Sequence, residues 1–357
     1  MEKITTSSEV PKRGLNETFN KHYKLILIIP IILLLSSIAY ISYFYSQNND
    51  FIHRDLSLTG GTTITVFSNV SLAELENALS DKIPNMEVRY LSDSSGNQNQ
   101  IVIMTSQKPE EVIPTLENYF GFTLTEDNSS VEFTGSSLSE SFYKQLGITV
   151  LIAFFWMAAV VFVIFAKKWR LKFLAIAINL LFGIFLGKMF FSFEIVISLI
   201  ILLVFIAAIV FLYIKYSMPS FAVMFCAFAD IIMTLAVVDL IGMKIAGAGI
   251  VAFLMLIGYS VDTDILLTTR ILTRKENSIN KEIFGAFKTG MTMTLTAISA
   301  LAVALIFVRP FGTVLNQMFD IILIGLFFDI INTWLTNTVL LKWFIESKEK
   351  HNEEVRL

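Results

Sequence analysis

The sequence predicts an α-helical polytopic membrane protein that crosses the bilayer about eight times and carries one extracytoplasmic α+β domain. Two observations predict this class. The 357 residues are 55% hydrophobic and only 16% charged, which is unusually little charge for a soluble protein of this length. The apolar residues also gather into eight runs, and a helix of roughly 20 such residues crosses a bilayer core of about 30 Å.

The eight runs define the predicted spans. In chain order they are Leu25–Gln47, Leu146–Ala166, Phe173–Phe190, Ile195–Ile214, Phe221–Ile241, Ala248–Thr269, Thr289–Val308 and Phe319–Leu341. The third run is short and carries Lys188 near its end, so a re-entrant or interfacial segment is the alternative there. We expect the first run to be retained as a span, because its apolar core is too long for a signal peptide and no small-residue cleavage site follows it.

The basic residues predict the orientation of a multi-pass protein in the cell membrane, because cytoplasmic loops carry an excess of Lys and Arg. With both termini in the cytoplasm, 19 of the 27 Lys and Arg residues lie in cytoplasmic segments. The three short outer loops carry only Lys188, Lys244 and Arg309. The predicted organisation is a cytoplasmic tail (1–24), a first span (25–47), an extracytoplasmic domain (48–145), a bundle of spans (146–346) and a cytoplasmic tail (347–357).

The predicted outer domain has the element order β-α-β-β-α-β, which is typical of ferredoxin-like domains. Another α+β sandwich is the alternative. The predicted strands are Thr62–Phe67, Met86–Leu91, Gln100–Thr105 and Ser130–Thr134, with a turn at Ser94–Asn97. The pattern Ser71-Leu-Ala-Glu74 is a capping box that opens the first helix, and the second helix runs from Pro109 to Gly121. We expect a binding or lever domain, because no nucleophile, histidine and acid set is present.

Several chemistries are disfavoured by the composition. Cys226 is the only cysteine and lies in an apolar run, so no disulfide framework or thiolate metal cluster is expected. The three histidines, His22, His53 and His351, lie outside the apolar runs, which disfavours a metal or haem site in the membrane. The net charge is −3 without a basic block, which gives no indication of nucleic acid. We expect no enzyme activity and no cofactor. The sequence contains no Walker loop, so it gives no indication of ATP binding.

Acidic residues inside the apolar runs are the most informative feature. A charge at the bilayer centre costs roughly 2.5–3.5 kcal/mol on insertion scales. The acids that lie well inside the runs are Asp230, Asp262, Asp264 and Asp329. We favour a functional role for Asp230, because Asn or Thr would supply a hydrogen bond between helices at a much lower free-energy cost of insertion into the bilayer. Asp239 and Asp320 lie near the outer ends of their spans, where we expect simple surface exposure.

Helical geometry favours Asp262 over Asp264 as a helper of Asp230. A helix turns about 100° per residue, so Asp262 and Asp264 point about 160° apart. Asp262 lies about 80° from Arg270, which is at the cytoplasmic edge and long enough to reach along the helix. We therefore expect Asp262 and Arg270 to be the main helpers of Asp230.

Small and polar residues also line faces of the last three predicted spans. They are Gly247, Gly249 and Gly258 in the sixth, Thr292, Thr296 and Ser299 in the seventh, and Gly325, Asp329, Asn332 and Thr336 in the eighth. Such residues either form an ion pathway or allow helices to pack closely. For the glycine, serine and threonine residues we favour packing.

A buried carboxyl group near the midplane suits coupling to proton flux. Removal from water favours its neutral form, so the group can alternate between neutral and charged states. Each proton that crosses the membrane releases about 2.3 kcal/mol per 100 mV. Such a cycle is able to drive a conformational change in the outer domain without ATP.

Three motifs resemble one known family. The stretch Asp55-Leu-Ser-Leu-Thr-Gly60-Gly61-Thr62 is similar to the Gly-Gly-Thr signature that opens the first external domain of SecD and SecF. Ser217-Met-Pro219-Ser220, followed by Asp230, resembles the Pro-Ser and buried-aspartate stretch of SecF. The segment from Leu256 through Gly258-Tyr259-Ser260 and Asp262-Thr-Asp264 to Arg270 resembles archaeal SecF, a member of the RND superfamily.

The resemblance implies an RND-like bundle and a function in protein export. SecF-type proteins pair with SecD beside the Sec translocon and use protons to help move translocating polypeptides outward. By position, Asp230 matches the buried aspartate of the family and Arg270 matches the arginine that ends the Gly-Tyr-Ser motif. The implied partners are a SecD-like protein, the translocon, the exported polypeptide, protons and membrane lipid. The family usually has six spans, so we interpret residues 167–215 as containing an inserted helical pair.

Three other functions are alternatives to the one that the resemblance implies. One is a factor that stabilises the translocon without moving protons, and another is an RND exporter of small solutes, although the outer domain is small for that class. The third is an intramembrane aspartyl protease. Its motifs are Tyr-Asp and Gly-x-Gly-Asp, whereas this chain has Ala229-Asp230 and Gly258-Tyr-Ser-Val-Asp262.

Overall fold

The computed structural model of the chain describes residues 23–68, 70–92, 98–189, 195–273, 278–309 and 314–354. Most of the N-terminal tail, the turn at 94–97, the outer loop at 191–194 and residues 355–357 lie outside this range. Within it, eight helices are long and apolar enough to cross a membrane, which confirms the predicted number. They are Tyr23–Asn48, Ser136–Phe165, Trp169–Lys188, Val196–Tyr216, Met218–Leu240, Gly247–Leu272, Ile279–Val308 and Val314–Lys350.

The elements are numbered here in chain order. The domain predicted to be extracytoplasmic, called the outer domain, lies between α1 (Ile28–Asn48) and α5 (Ser136–Phe165). It contains α2 (Leu56–Thr59), β1 (Gly61–Phe67), α3 (Leu72–Leu79), β2 (Glu87–Ser92), β3 (Gln98–Thr105), α4 (Pro109–Phe120) and β4 (Ser129–Thr134). The membrane bundle continues with α6 (Trp169–Ile184), α7 (Ile195–Tyr216), α8 (Met218–Leu240), α9 (Gly247–Leu272), α10 (Ile279–Val308), α11 (Val314–Ile331) and α12 (Thr338–Glu354). A π-helical segment, Asn332–Asn337, joins α11 to α12.

The outer domain has the predicted order of strands and helices. Its four strands form one antiparallel sheet in the order β2-β3-β1-β4. Alternate residues of β1, including Ile64 and Val66, are fully buried and pack against Leu75 of α3 and Leu116 of α4. This alternation is what a strand with one face on a core requires. The assignment to the ferredoxin-like class stays a prediction.

The capping box predicted at Ser71 does not form. Ser71 is the N-cap of α3, but its side chain makes no capping hydrogen bond. The hydroxyl of Tyr90 accepts from the backbone N–H of Leu72 at 3.2 Å and donates to the carbonyl of Val70 at 3.0 Å. A tertiary contact from β2 therefore replaces the local cap. At the second helix, Pro109 and the left-handed Gly121 occupy the predicted ends.

The Gly60-Gly61 pair lies where β1 starts under the first turn of α5. Gly60 has φ +83°, and a Cβ atom there would lie 2.7 Å from the backbone of Ser136. Thr62 follows with its hydroxyl donating to the carbonyl of Gln107 at 2.6 Å. Only glycine fits this close approach of two backbones, so the motif joins the sheet to α5.

Helix α5 connects the outer domain to the membrane bundle without a break. It begins at Ser136, ten residues before the predicted span at Leu146. The predicted domain boundary at residue 145 therefore falls inside a helix. Because a continuous helix transmits rotation and translation along its axis, the sheet and the bundle are mechanically connected through α5.

A second attachment lies at the loop between α8 and α9. The backbone N–H of Ile245 donates to the carbonyl of His53 at 2.6 Å, and the N–H of Asp55 donates to the carbonyl of Ile245 at 3.0 Å. Ile52 and Leu58 are buried in the same apolar cluster as Ile245. The start of the domain is thus held by the loop between the two central helices.

Helices α8 and α9 form the centre of the bundle. Helix α8 packs against α1, α5, α9 and α11, and α9 packs against α5, α8, α10 and α11. The interpretation of residues 167–215 as a helical pair agrees with α6 and α7, which lie at the periphery against α5 and α8. Aromatic contacts hold this pair, including Phe155 on Phe182 and Phe162 stacked on Tyr213, both with ring centroids 4.6 Å apart.

Candidate functional site

A cluster of buried polar side chains lies where α8, α9 and the π-helical segment meet. It contains three carboxyl groups, those of Asp230, Asp264 and Asp329, and all three are fully buried. The surrounding residues with hydroxyl or amide groups are Ser260, Asn332, Thr333, Thr336 and Asn337. The eight residues come from α8, α9, the end of α11 and the π-helical segment, so only the tertiary fold creates this cluster.

Asp230 accepts hydrogen bonds from two neighbouring helices. Ser260 of α9 donates to Oδ2 at 2.5 Å, and the side-chain amide of Asn332 donates to Oδ1 at 2.6 Å. Ser260 belongs to the Gly-Tyr-Ser motif singled out in the sequence. Its hydroxyl therefore holds the carboxyl group of Asp230 on the facing helix α8.

Asp264 and Asp329 share one hydroxyl group. Oγ1 of Thr333 lies 2.9 Å from Oδ1 of Asp264 and 3.1 Å from Oδ1 of Asp329. The amide of Asn337 donates to the same oxygen of Asp264 at 2.7 Å. The second oxygens of Asp264 and Asp329 are buried and have no hydrogen-bond partner within the described ranges.

The π-helical segment explains how the last span brings so many polar groups to one place. A π-helix has i→i+5 hydrogen bonds, and single turns of it inside α-helices are frequent at functional sites. The wider turn rotates the side chains that follow, so Thr333 and Asn337 join Asp329 and Asn332 on the buried face. An undisturbed α-helix would direct its polar groups along the spacing of Asp329, Asn332 and Thr336 alone.

The three carboxyl groups are close enough to repel one another when charged. None of them forms an ion pair with a Lys or Arg of the described segments. An unpaired charge inside a bilayer is costly, and like charges at close range raise that cost. Charging all three groups at the same time would therefore be costly.

The structure does not bring Asp262 close to Asp230, and a function of Asp262 stays a prediction. Asp262 is exposed on the outer face of α9, whereas Asp264 points into the bundle. The predicted angle of about 160° between the two side chains explains why only one of them can face inward. The direction of Arg270 on α9 does not indicate which aspartate faces the bundle, because the Arg270 side chain does not point toward the buried aspartates.

Arg270 lies at the end of α9 and contacts α10 instead of the acidic cluster. Its Nη1 lies 3.2 Å from the hydroxyl of Thr289, its Nε lies 3.6 Å from a carboxylate oxygen of Glu282, and its guanidinium group packs over Gly285. The side chain is 43% exposed. A function of Arg270 in proton movement stays a prediction, and these contacts supply no direct route for it.

The other motif residues have structural positions. Pro219 lies in the first turn of α8, where Ser217 is the N-cap and the hydroxyls of Ser217 and Ser220 are 2.7 Å apart. Tyr259 is 40% exposed. Gly258 does not allow close packing as expected, since a Cβ atom there would meet nothing within 4 Å.

Close packing occurs at Gly247 and Gly249, as expected, and also at Gly325. A Cβ atom at Gly249 would lie 2.7 Å from the side chain of Gln317, and at Gly247 it would lie 3.1 Å from the ring of Phe142. Gly325 lies directly against the side chain of Leu256. These contacts bring α9 close to α5 and α11, which is the arrangement that the acidic cluster needs.

The polar residues of the seventh predicted span do not join the site. Thr292, Thr296 and Ser299 lie on the surface of α10, and each hydroxyl donates to the carbonyl four residues earlier at 2.7 Å.

Asp239, expected at the surface, is only 2% exposed because the segment at His53 covers it. Asp320 is partly exposed.

Sequence reasoning missed Thr333 and Asn337 as residues of the cluster. The signal available was the pair Asn332 and Asn337, separated by five residues in the last predicted span. Five-residue spacing places the two amides on different faces of an α-helix but on one face of a π-turn.

Comparison with known sequences identifies relatives along most of the chain. The family profile described as "Protein export membrane protein SecD/SecF, C-terminal" matches residues 185–347. The protein-export membrane protein SecF of Methanocaldococcus jannaschii is 32% identical over 332 residues, which is 91% of this chain and 96% of that protein. SecF of Methanothermobacter thermautotrophicus is 30% identical over 83% of this chain and 85% of that protein.

Comparison with solved structures agrees on the fold. SecDF from Thermus thermophilus, described as a translocon-associated membrane protein, superposes with a TM-score of 0.54 over 92% of this chain at 14% identity. A second SecDF structure, in a super-membrane-facing form, gives a TM-score of 0.50 at 14% identity. This chain spans 38% and 40% of those two chains. The likeness therefore concerns the fold of a part of SecDF.

Proposed function

This chain belongs to the SecF family of protein-export membrane proteins, and we propose that it works with a SecD-like protein at the Sec translocon to promote the export of polypeptides, driven by protons that cross the membrane. The chain then catalyses no chemical reaction. Protons that cross the bundle supply the energy, and the outer domain provides the mechanical output.

The observation that carries this proposal is the position of Asp230. The carboxyl group is fully buried at the centre of a membrane bundle and joins α8 to α9 and to the π-helical segment through short hydrogen bonds. A change in its charge alters the strength of both contacts, because hydrogen bonds to charged groups are roughly twice as strong as neutral ones. Protonation is thus coupled to the relative positions of three helical segments.

The path from the bundle to the outer domain supports the mechanical part of the proposal. Helices α8 and α9 end at the loop of Ile245, which holds the segment at His53 by backbone hydrogen bonds. Helix α5 provides a second rigid connection to the sheet. A shift of α8 against α9 would therefore move the attachment point of the domain relative to α5 and tilt the sheet.

We place both termini in the cytoplasm and the domain outside, following the distribution of Lys and Arg. In this orientation the outer domain lies on the side to which exported polypeptides emerge. Protons that move inward release about 2.3 kcal/mol per 100 mV, so no ATP site on the outer side is required.

Export of a reporter protein tests the proposal. Cells that depend on this chain would carry the wild-type chain, Asp230→Asn or Asp262→Asn, the last being a matched control on the exposed face of α9. We expect Asp230→Asn to lower export to the level of cells without the chain, and Asp262→Asn to export normally. Normal export by Asp230→Asn, with equal amounts of each chain in the membrane, would favour a translocon-stabilising factor instead.

A further inference from the structure

We propose that Asp329 holds a resting proton and exchanges it with Asp264 through the hydroxyl of Thr333, so that the bundle contains a second proton site beside Asp230. The proposal deepens the proton coupling proposed above and rests on it for its purpose. The evidence is the number of hydrogen atoms that the neighbouring hydroxyl and amide groups can donate to each carboxyl oxygen.

Thr333 has one hydroxyl hydrogen and two carboxyl oxygens within reach, at 2.9 Å and 3.1 Å. It can donate to only one of them. The other carboxyl group must donate to Thr333, which requires a proton on that carboxyl group. The pair Asp264 and Asp329 therefore holds at least one proton when both contacts are hydrogen bonds.

The amide of Asn337 indicates which of the two aspartates carries that proton. It donates to Oδ1 of Asp264 at 2.7 Å, the same oxygen that Thr333 approaches. An oxygen that accepts two donors is stabilised as a carboxylate. Asp329 has no comparable amide donor among the described residues, so the proton belongs on Asp329 and the hydrogen of Thr333 points to Asp264.

The hydroxyl of Ser260 is consistent with this assignment, since its single hydrogen is donated to Asp230 at 2.5 Å. With the hydrogen of Thr333 directed to Asp264, neither of these two hydroxyl groups has a hydrogen left for Asp329. Asp230, in contrast, has one donor on each of its oxygens and needs no proton to complete its contacts.

The exchange step is balanced. The O–H bond of Asp329 breaks as its proton joins Oγ1 of Thr333, and the original hydrogen of Thr333 moves to Oδ1 of Asp264. One proton leaves Asp329 and one arrives on Asp264, with the hydroxyl restored. The ionisable groups that face this pair are Asp230 and Cys226 of α8.

The assignment also explains the buried oxygens without partners. Oδ2 of Asp264 and Oδ2 of Asp329 are fully buried, and neither has a hydrogen-bond partner in the part of the chain that the structure describes. Leaving a charged oxygen in that state is costly, whereas the carbonyl oxygen of a protonated carboxyl group loses much less. A neutral Asp329 removes one of the two penalties.

Infrared spectroscopy of the purified full-length chain in lipid vesicles tests the assignment. A protonated carboxyl group has a carbonyl stretching band that is distinct from the bands of a carboxylate. We expect Asp329→Asn to lose such a band at neutral pH, while Asp230→Asn and the exposed control Asp262→Asn retain it. A band that persists in Asp329→Asn, or disappears in Asp230→Asn, overturns the proposal.

A second variant keeps the test informative if Asp329→Asn does not fold. Thr333→Val keeps the shape of the side chain but removes the acceptor of the Asp329 proton, so we expect the band to shift, while Thr333→Ser leaves it in place. An unshifted band in Thr333→Val overturns the proposal. If export still requires Asp230 in that case, the proposed function survives and only the second site is lost.

Discussion

Asn332 donates a hydrogen bond to Asp230 across 2.6 Å, and this contact fastens the π-helical segment of the last span to α8 at the centre of the bundle. Both side chains are buried, so neither has water as an alternative partner. The contact is one of the few specific interactions that hold the last span in register with α8.

Replacing Asn332 by alanine removes this donor. We expect the free energy of unfolding in detergent to fall by about 1.5–3 kcal/mol, the usual contribution of a hydrogen bond to a charged group. Ser299→Ala is the control, because that hydroxyl bonds only its own helix on an exposed face. Equal stability of the two variants would mean that the amide does not hold Asp230.

Replacing Gly60 by alanine tests how closely the sheet approaches α5. The new Cβ atom would lie 2.7 Å from the backbone of Ser136, and the backbone has φ +83°. We expect a loss of thermal stability of the full chain greater than that of Gly121→Ala, where φ is +75° but no atom lies within 4 Å. Gly135→Ala, in open space with an ordinary φ, should be neutral.

If all three glycine variants unfold at one temperature, the two backbones are not in contact. If Gly60→Ala and Gly121→Ala are equally destabilised, the left-handed backbone alone explains the cost, which is about 1–2 kcal/mol per residue.

Joining the outer domain to the loop between α8 and α9 should block export. Arg54 and Ile245 face each other in a parallel β-bridge, and the natural Cys226 is buried, so cysteines at these two positions would be the reactive pair. We expect oxidation of Arg54→Cys/Ile245→Cys to stop export and a reducing agent to restore it. Unchanged export in the oxidised form would mean that this attachment stays closed during the cycle.

A disulfide inside the domain is the matched control for that experiment. Thr63 and Met104 face each other on neighbouring strands of the sheet. Cysteines there leave the attachment to the bundle free, so oxidation should not change export.

The eight-span topology predicts the accessibility of the loop after the third span. A cysteine introduced at Ser192 should react with a membrane-impermeant maleimide added from outside, and one at Lys167 only from the cytoplasmic side, since the natural Cys226 is buried. Labelling of Ser192→Cys only from inside would contradict the predicted orientation and the even number of spans that it requires.

The candidate membrane spans could be predicted from the sequence, because they are recognised by the length and the composition of an apolar run. The order of strands and helices along the outer domain was predicted from a β-rich segment, from turn residues and from Pro109 and Gly121 at helix ends. These signals are local and depend on few neighbours.

The members of the buried cluster could be predicted only in part. Asp230, Asp329 and Ser260 were singled out because acids and motif residues inside apolar runs are conspicuous. The choice between Asp262 and Asp264 depended on how α9 is rotated in the bundle, and tertiary packing sets that rotation. Thr333 and Asn337 were missed because the π-turn changes the helical spacing.

Proton flux into vesicles that contain this chain and its SecD-like partner tests the central claim most directly. A membrane potential would be imposed, and internal acidification followed with a pH-sensitive dye, for the wild type, Asp230→Asn and the exposed control Asp262→Asn. We predict flux above that of protein-free vesicles for the wild type and for Asp262→Asn, and none for Asp230→Asn. Flux through Asp230→Asn equal to that of the wild type would contradict the account.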